Sequence, residues 1–171
     1  MPTTAPADVD WQMVGRLVVP SHRAVGPRRA DPVRRCFARS PVGAVFAAAN
    51  LTALTTLPEA EAREAILDLT AETRGRELLA GTLATESPRR AEDTSLALAG
   101  FSVVSWTHDE SSVDLAMLVS RSGAVAQYVS VVMTVTWEGG DWRLVASDTT
   151  GEPFTLRPLP SLVGYTRWAP R

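Results

Sequence analysis

Two valine-rich segments of the chain, residues 125–137 and 142–147, flank a turn that reads Glu138-Gly139-Gly140-Asp141. A glycine pair between apolar segments is typical of a tight β-hairpin turn. Along the first segment, mostly apolar residues alternate with small or hydroxyl residues, which indicates an antiparallel strand with one face on a core. This predicted strand is about twice the usual length, so we expect it to bend.

Three helices are predicted ahead of the hairpin. Ser40 is a favourable N-cap and Pro41 suits the first helical position, so the first helix should begin there. Pro58 opens the second helix, and the third spans residues 71–85. The pattern predicts an α+β fold in which three N-terminal helices pack on a curved antiparallel sheet of about four strands. A bent sheet with helices in its concavity would enclose a cone.

Composition limits the class of protein. The chain has 171 residues, of which 45% are hydrophobic, enough for one domain with a buried core. Its net charge of -2 provides no overall attraction for nucleic acid or anionic lipid, and all its basic side chains are arginines. Because Cys36 is the single cysteine, an intrachain disulfide and a four-cysteine zinc site are both excluded.

The chain contains no predicted membrane segment. Residues 1–10 lack the basic start and apolar centre of a signal peptide, and the longest apolar segment, 42–49, is too short to span a bilayer. We therefore expect a cytoplasmic protein without direct membrane insertion, which a partner could recruit to a membrane.

Four regions are predicted along the chain. Residues 1–10 should be disordered, and residues 11–39 should form an extended arm followed by an arginine-rich loop. Residues 40–149 should form the α+β domain. Residues 150–171 contain four prolines but are too apolar for a free tail, so we expect them to pack on the domain or on a partner.

No group of residues in the sequence indicates a reaction. Histidine is the usual general base near neutral pH, and only His22 and His108 are present. His108 lies in a polar turn, Asp114 lies on the solvent side of its predicted strand, and Cys36 has no evident base beside it. We therefore predict no catalytic residues, no cofactor and no metal site.

The strongest local concentration of charge is the arginine-rich loop. Three interpretations of this loop remain open: salt bridges to the glutamates of the second helix, contact with a protein partner, or contact with DNA phosphates. Aromatic residues near the two chain ends are separately predicted to form an interface. The loop arginines are Arg23, Arg28, Arg29, Arg34, Arg35 and Arg39, and the aromatic residues are Trp11, Phe154, Tyr165 and Trp168.

The order of the predicted elements resembles the cystatin-like or nuclear-transport-factor-2-like cone superfamily. The resemblance is carried by the three helices and by the hairpin Trp137-Glu138-Gly139-Gly140-Asp141-Trp142-Arg143-Leu144. It covers residues 40–147 and implies a cone of helices and antiparallel strands.

A second resemblance is carried by Phe37-Ala38-Arg39-Ser40-Pro41-Val42-Gly43-Ala44-Val45-Phe46-Ala47-Ala48-Ala49-Asn50, which follows Gly26-Pro27-Arg28. This segment is similar to one in proteins encoded by actinobacterial integrative and conjugative elements. The resemblance implies a role beside a DNA-transfer apparatus of the type IV secretion kind, without a defined chemistry.

The sequence thus favours a non-catalytic binding or assembly module. Its partners would be proteins: other copies of itself, a component of the transfer machinery, or both. The alternative is a small-molecule pocket protein or small enzyme on the same cone fold, with Gln127 as the main polar residue of the inner face. A second alternative is a DNA-binding accessory that uses the arginine-rich loop.

Overall fold

A computed structural model of the chain describes residues 2–30, 33–85 and 94–170. Within these ranges the chain forms three helices and eight strands. In chain order they are β1 (Asp10–Val14), β2 (Leu17–Ser21), α1 (Pro41–Leu54), α2 (Glu59–Asp68), α3 (Arg74–Thr85), β3 (Thr94–Trp106), β4 (Glu110–Arg121), β5 (Gln127–Glu138), β6 (Asp141–Val145), β7 (Thr155–Leu159) and β8 (Thr166–Arg167).

Helix α1 is the centre of the core. Ser40 caps its N-terminus by accepting a hydrogen bond from the Gly43 backbone N–H at 3.0 Å, and Pro41 occupies the first turn as predicted. Every residue from 43 to 54 is buried, because the helix is apolar or small on all sides. Gly43 is required for close packing, since a Cβ there would lie 1.8 Å from the Ala38 carbonyl oxygen.

The main sheet is antiparallel and has the strand order β6-β5-β4-β3-β8. Strand β5 is long enough to pair with β6 along one half and with β7 along the other. One face of the sheet packs against α1 through buried residues of β4 and β5. The register of β3 against β4 shifts at two points, which bends the strand. The buried residues are Val113, Leu115, Met117, Val131, Met133 and Val135.

The predicted α+β class, with three helices and antiparallel strands, is confirmed. The predicted order is wrong at the start, because β1 and β2 form a hairpin before the first helix. Gly15 turns this hairpin with φ of +58°, and Leu17 and Val19 are buried beside α1. The hairpin lies in the predicted extended arm, where the apolar segment is short and is followed by Pro20, a residue that weakens a strand prediction.

The C-terminal segment adds two strands to the sheet, so the described sheet has six strands rather than about four. Strand β7 lies beside β5 and β8 lies beside β3, so residues 160–165 must cross the strands between them. Tyr165 donates a hydrogen bond to Asp114 at 2.7 Å, which places this crossing on the sheet face opposite α1. Asp114, predicted to face solvent, also accepts a hydrogen bond from Ser130 at 2.8 Å.

Trp168 then returns the chain to the core side of the sheet. Its ring lies 5.1 Å from Phe46, 5.4 Å from Phe101 and 5.3 Å from Trp11, and its side chain is 5% exposed. Edge-to-face and tilted contacts at these distances stabilise aromatic clusters. Both ends of the chain are therefore held by one cluster around α1.

The Tyr165 contact predicts a loss of stability at high pH. Burial raises the pKa of the Tyr165 hydroxyl above its usual value, and the hydrogen bond to the Asp114 carboxylate raises it further. In the unfolded chain the tyrosine hydroxyl loses its proton near pH 10. The stabilisation that this hydrogen bond gives the folded state is therefore complete below about pH 10, and it is lost as pH rises through the higher pKa of the folded state. The free energy of unfolding, measured with urea at a series of pH values, should fall in this range for the wild type and for the control variant Tyr128→Phe. It should fall less for Tyr165→Phe. Equal pH dependence of all three proteins would contradict this assignment.

Candidate binding surface

The carboxylate of Asp141 joins the β5–β6 hairpin to the arginine-rich loop. Gly139 and Gly140 form the turn with positive φ angles of +62° and +83°, and Asp141 begins β6 directly after them. Its side chain is buried and accepts hydrogen bonds from the backbone N–H groups of Cys36 at 2.6 Å and Phe37 at 3.0 Å. It also accepts one from its neighbour Trp142 at 2.9 Å. Hydrogen bonds to an ionised acceptor are stronger than neutral ones, so this carboxylate fixes the end of the loop.

Trp142 makes a second connection between the hairpin and the loop. Its indole Nε1 donates to the Ala38 carbonyl oxygen at 2.9 Å, and its ring is buried. The rings of Trp106 and Trp137 lie 5.5 Å and 5.2 Å from it. The two motifs that carry the family resemblances in the sequence thus bind each other directly, and their first role is structural.

The loop also has its own backbone pairing. The N–H groups of Arg28 and Arg29 both donate to the Arg35 carbonyl oxygen, and the Arg35 N–H donates back to Arg29. The Ala38 N–H donates to the Val25 carbonyl oxygen at 2.8 Å. The arginine side chains therefore project from a hydrogen-bonded backbone and not from a free segment.

Three of the six loop arginines are used inside the domain. Arg34 is 9% exposed and donates to Asn50 at 2.5 Å and to Gln12 at 2.7 Å. Burial lowers the pKa of the Arg34 guanidinium. Arg35 forms a salt bridge with Asp68 at the end of α2. This is the predicted kind of pairing with the second helix, although the partner is an aspartate.

Arg39 is the third engaged arginine. It forms a salt bridge with Asp109, donates from Nε to the His108 carbonyl oxygen at 3.3 Å, and lies over the Trp137 ring at 5.2 Å. These contacts attach the start of α1 to the turn between β3 and β4. They leave Arg39 with little freedom to meet another molecule.

The other three loop arginines face solvent. The side chains of Arg23, Arg28 and Arg29 are exposed, and they have no hydrogen-bond or ion-pair partner within the described residues. We call this set the arginine surface. Guanidinium groups of this kind bind anions as planar forks. Arg28 and Arg29 lie on backbone that pairs with Arg35, and Asp141 fixes the following residues Cys36 and Phe37.

The enclosed cavity found among the described core residues is small. The cavity beside Arg34, Asn50 and Trp142 has a volume of about 10 Å³, which is space for about one water molecule. His108 lies in an exposed turn, with its Nδ1 3.6 Å from Asp109 Oδ1. In the described parts of the chain, no three His, Cys, Asp or Glu side chains are grouped as metal ligands would be.

The predicted interface aromatics make their main contacts within the chain. Trp11 and Phe154 are partly buried against the core, Tyr165 is bonded to Asp114, and Trp168 is buried. They attach the ends of the chain to the domain. Within the arginine-rich loop, Asp31 and Pro32 lie outside the described residues.

The profile of a family described as "Domain of unknown function (DUF8175)" matches residues 1–167. The chain belongs to this family. The DUF8175 match extends beyond the predicted 40–149 domain and includes the loop, the hairpin, Tyr165 and β8. No curated protein and no solved structure is detectably similar to the chain. None of the described helices of this DUF8175 protein combines the length and the apolar character needed to cross a membrane.

The sequence reasoning missed the residues that organise this surface. Asp141 was seen only as part of a turn, although an acid directly after a Gly-Gly turn and before a tryptophan is well placed to bind backbone N–H groups. Asn50 was the other available signal, because it is a single amide in a helix of apolar and small residues. Its Nδ2 donates to the Pro20 carbonyl oxygen at 3.1 Å and to the Phe46 carbonyl oxygen at 2.8 Å.

The Asp141 contacts predict a large loss of stability on substitution. Asp141→Ala leaves the N–H groups of Cys36, Phe37 and Trp142 without their acceptor, and should lower the free energy of unfolding by about 3 kcal/mol. Asp109→Ala is the matched control, because it removes only an exposed ion pair and should cost less than about 1 kcal/mol. Urea unfolding of both variants measures the difference. Similar midpoints for the two would show that Asp141 does not hold the loop.

Proposed function

We propose that this protein is a non-catalytic binding module that meets an anionic partner through the arginine surface. The observation that carries the proposal is that Arg23, Arg28 and Arg29 are exposed and unpartnered within the described residues, while the backbone beneath them is fixed. Guanidinium groups are planar forks that bind phosphate, sulfate and carboxylate groups in a bidentate manner. A loop fixed before binding loses less conformational entropy when its partner arrives.

The small size of the enclosed cavity in the described core supports a binding module over a small-molecule pocket protein. Ligand pockets are concave sites of about 300–1,000 Å³ that bury most of their ligand. The cavity beside Arg34 measures about 10 Å³, and the larger depressions on α2 and α3, of about 550 Å³ and 440 Å³, are open to solvent. Gln127, the polar residue expected on the inner face, is exposed at the start of β5.

The finer assignments rest on the resemblances in the sequence. We propose that α1 to α3 and β3 to β6 form a nuclear-transport-factor-2-like cone. An experimental structure in which these elements do not superpose in chain order on that superfamily would contradict this assignment.

We also propose that the partner belongs to the DNA-transfer machinery of a conjugative element. The protein would act in the cytoplasm and be recruited to the membrane by that partner. The similarity of residues 37–50 to proteins of such elements is the support for this role.

Heparin retention tests the arginine surface, since heparin presents dense sulfate and carboxylate groups. The test variant is Arg23→Ala/Arg28→Ala/Arg29→Ala, and the control is Arg121→Ala/Arg157→Ala/Arg167→Ala. The control arginines are also exposed, and each triple changes the formal net charge from -2 to -5. The loop triple should elute at a lower salt concentration than the control triple, because it removes the clustered contacts.

Elution of both triples at the same salt concentration would contradict the proposed surface. Equal urea midpoints for the two triples would show that a difference in their elution is not caused by a folding defect.

The same variants test the cellular role. A conjugative element that encodes the loop triple should transfer less often than one that encodes the control triple, and equal transfer frequencies would contradict that role.

A further inference from the structure

We propose that the anionic partner of the arginine surface is a second copy of this chain, bound through the outer face of α2. This inference rests on the proposed function and names its partner. The contact would join two different surfaces, the arginine surface of one copy and the acidic face of α2 on the next.

Helix α2 carries the complementary charge. Between Glu59 and Asp68 it holds four carboxylates against one guanidinium, a net charge of -3. Glu59 pairs with Arg63 at 2.9 Å, and Asp68 pairs with Arg35. Glu61 and Glu64 are exposed, and within the described residues neither has a hydrogen-bond or ion-pair partner. Two carboxylates on α2 are thus left to match the three guanidinium groups of the arginine surface.

An open groove on the same helix provides apolar contact area. It has a volume of about 550 Å³ and is lined by Ala60, Glu64 and Leu67, together with the Glu59–Arg63 pair. Leu67 also borders a neighbouring groove of about 440 Å³ whose other lining residues come from α3 and the segment before it, so the depression continues toward α3. Arginine can lay its methylene groups on apolar surface while its guanidinium reaches a charged rim. The groove therefore offers apolar surface to an incoming arginine beside the carboxylate of Glu64.

The chain already contains one example of this pairing. Arg35 of the loop binds Asp68 of α2 within one molecule. Among the residues that the structure describes, Arg23, Arg28 and Arg29 have no such partner, so the described contacts within the chain satisfy only part of the charge on each side. A second copy brings the remaining guanidinium groups to the remaining carboxylates with the same chemistry.

A second copy fits the loop better than a nucleic acid does. The whole chain has a formal net charge of -2, so a nucleic acid gains no overall attraction from it. One arginine of the loop, Arg35, already binds a carboxylate of α2 within the chain. A second copy offers the same kind of acidic side chain to the other arginines of the loop.

Because the two surfaces differ, the contact is heterologous. Such contacts produce rings when the rotation closes and open chains when it does not. The attraction should also depend on salt, since the Debye length falls from about 30 Å at 0.01 M to about 3 Å at 1 M ionic strength. Self-association should therefore increase with protein concentration and weaken as salt is added.

Charge reversal tests the pairing directly. The loop-reversed variant is Arg23→Glu/Arg28→Glu/Arg29→Glu, and the helix-reversed variant is Glu61→Arg/Glu64→Arg. Matched controls make the same changes of charge at other exposed positions, Arg121→Glu/Arg157→Glu/Arg167→Glu and Glu110→Arg/Glu152→Arg. Light scattering gives the mass of each protein in solution over a range of concentrations at low and at high ionic strength.

At low ionic strength the wild type and both controls should exceed the mass of a single chain, and high ionic strength should return them to it. Each reversed variant should remain a single chain at every concentration. Mixing the two reversed variants, or combining both reversals in one chain, should restore the larger mass, because the opposite charges then face each other again. This restoration cannot come from a folding defect.

A wild type that stays a single chain at low ionic strength would overturn the inference. So would reversed variants that keep the wild-type mass, or a mixture that does not restore it. Heparin retention separates this result from the proposed function. If loop reversal abolishes retention while no variant changes the mass, the arginine surface is confirmed and the second copy is rejected. Binding of a short DNA duplex by a wild type that remains a single chain would assign the surface to nucleic acid.

Discussion

The position of the arginine-rich loop depends on one buried carboxylate. Asp141 binds the backbone N–H groups of Cys36 and Phe37 from a hairpin turn that is more than one hundred residues away in the chain. The loop leads directly into Ser40 and α1, so the same contact also sets where the central helix begins. Without it, the strand hairpin, the loop and the helix N-terminus would lack their common point of attachment.

The packed core and the protected edges of the sheet direct attention to the surface. Helix α1 packs on one face of the sheet, and the aromatic cluster around Trp168 packs against it. Residues 69–71 pair with Leu144 at the edge of β6, and Pro158 removes a donor from the edge strand β7. Edge-to-edge pairing between copies is thus disfavoured at these strands, whereas side-chain contacts at the loop and at α2 remain accessible.

Much of the fold could be predicted from local patterns, because caps, glycine turns and strand alternation act within a few residues. Ser40, Pro41 and the Gly139–Gly140 turn were identified for this reason. The β1–β2 hairpin and the two C-terminal strands were not identified. All four strands are short, and β2 and β7 contain a proline. The two C-terminal strands form only by pairing with distant partners such as Gly100 and Val129. The sequence also shows that arginines are concentrated in the loop. It does not show which of them form contacts within the domain, because their partners Asn50, Asp68 and Asp109 are distant in sequence.

Residue-resolved hydrogen exchange of the backbone amides tests the central claim most directly. If Asp141 holds the loop, the amides of Cys36 and Phe37 should exchange slowly in the wild type, as the buried amides of α1 do. In Asp141→Ala, which has neither of the two carboxylate oxygens that accept these bonds, both should exchange faster while α1 remains protected. Rapid exchange of Cys36 and Phe37 in the wild type would contradict the account, because the arginine surface would then rest on a mobile loop.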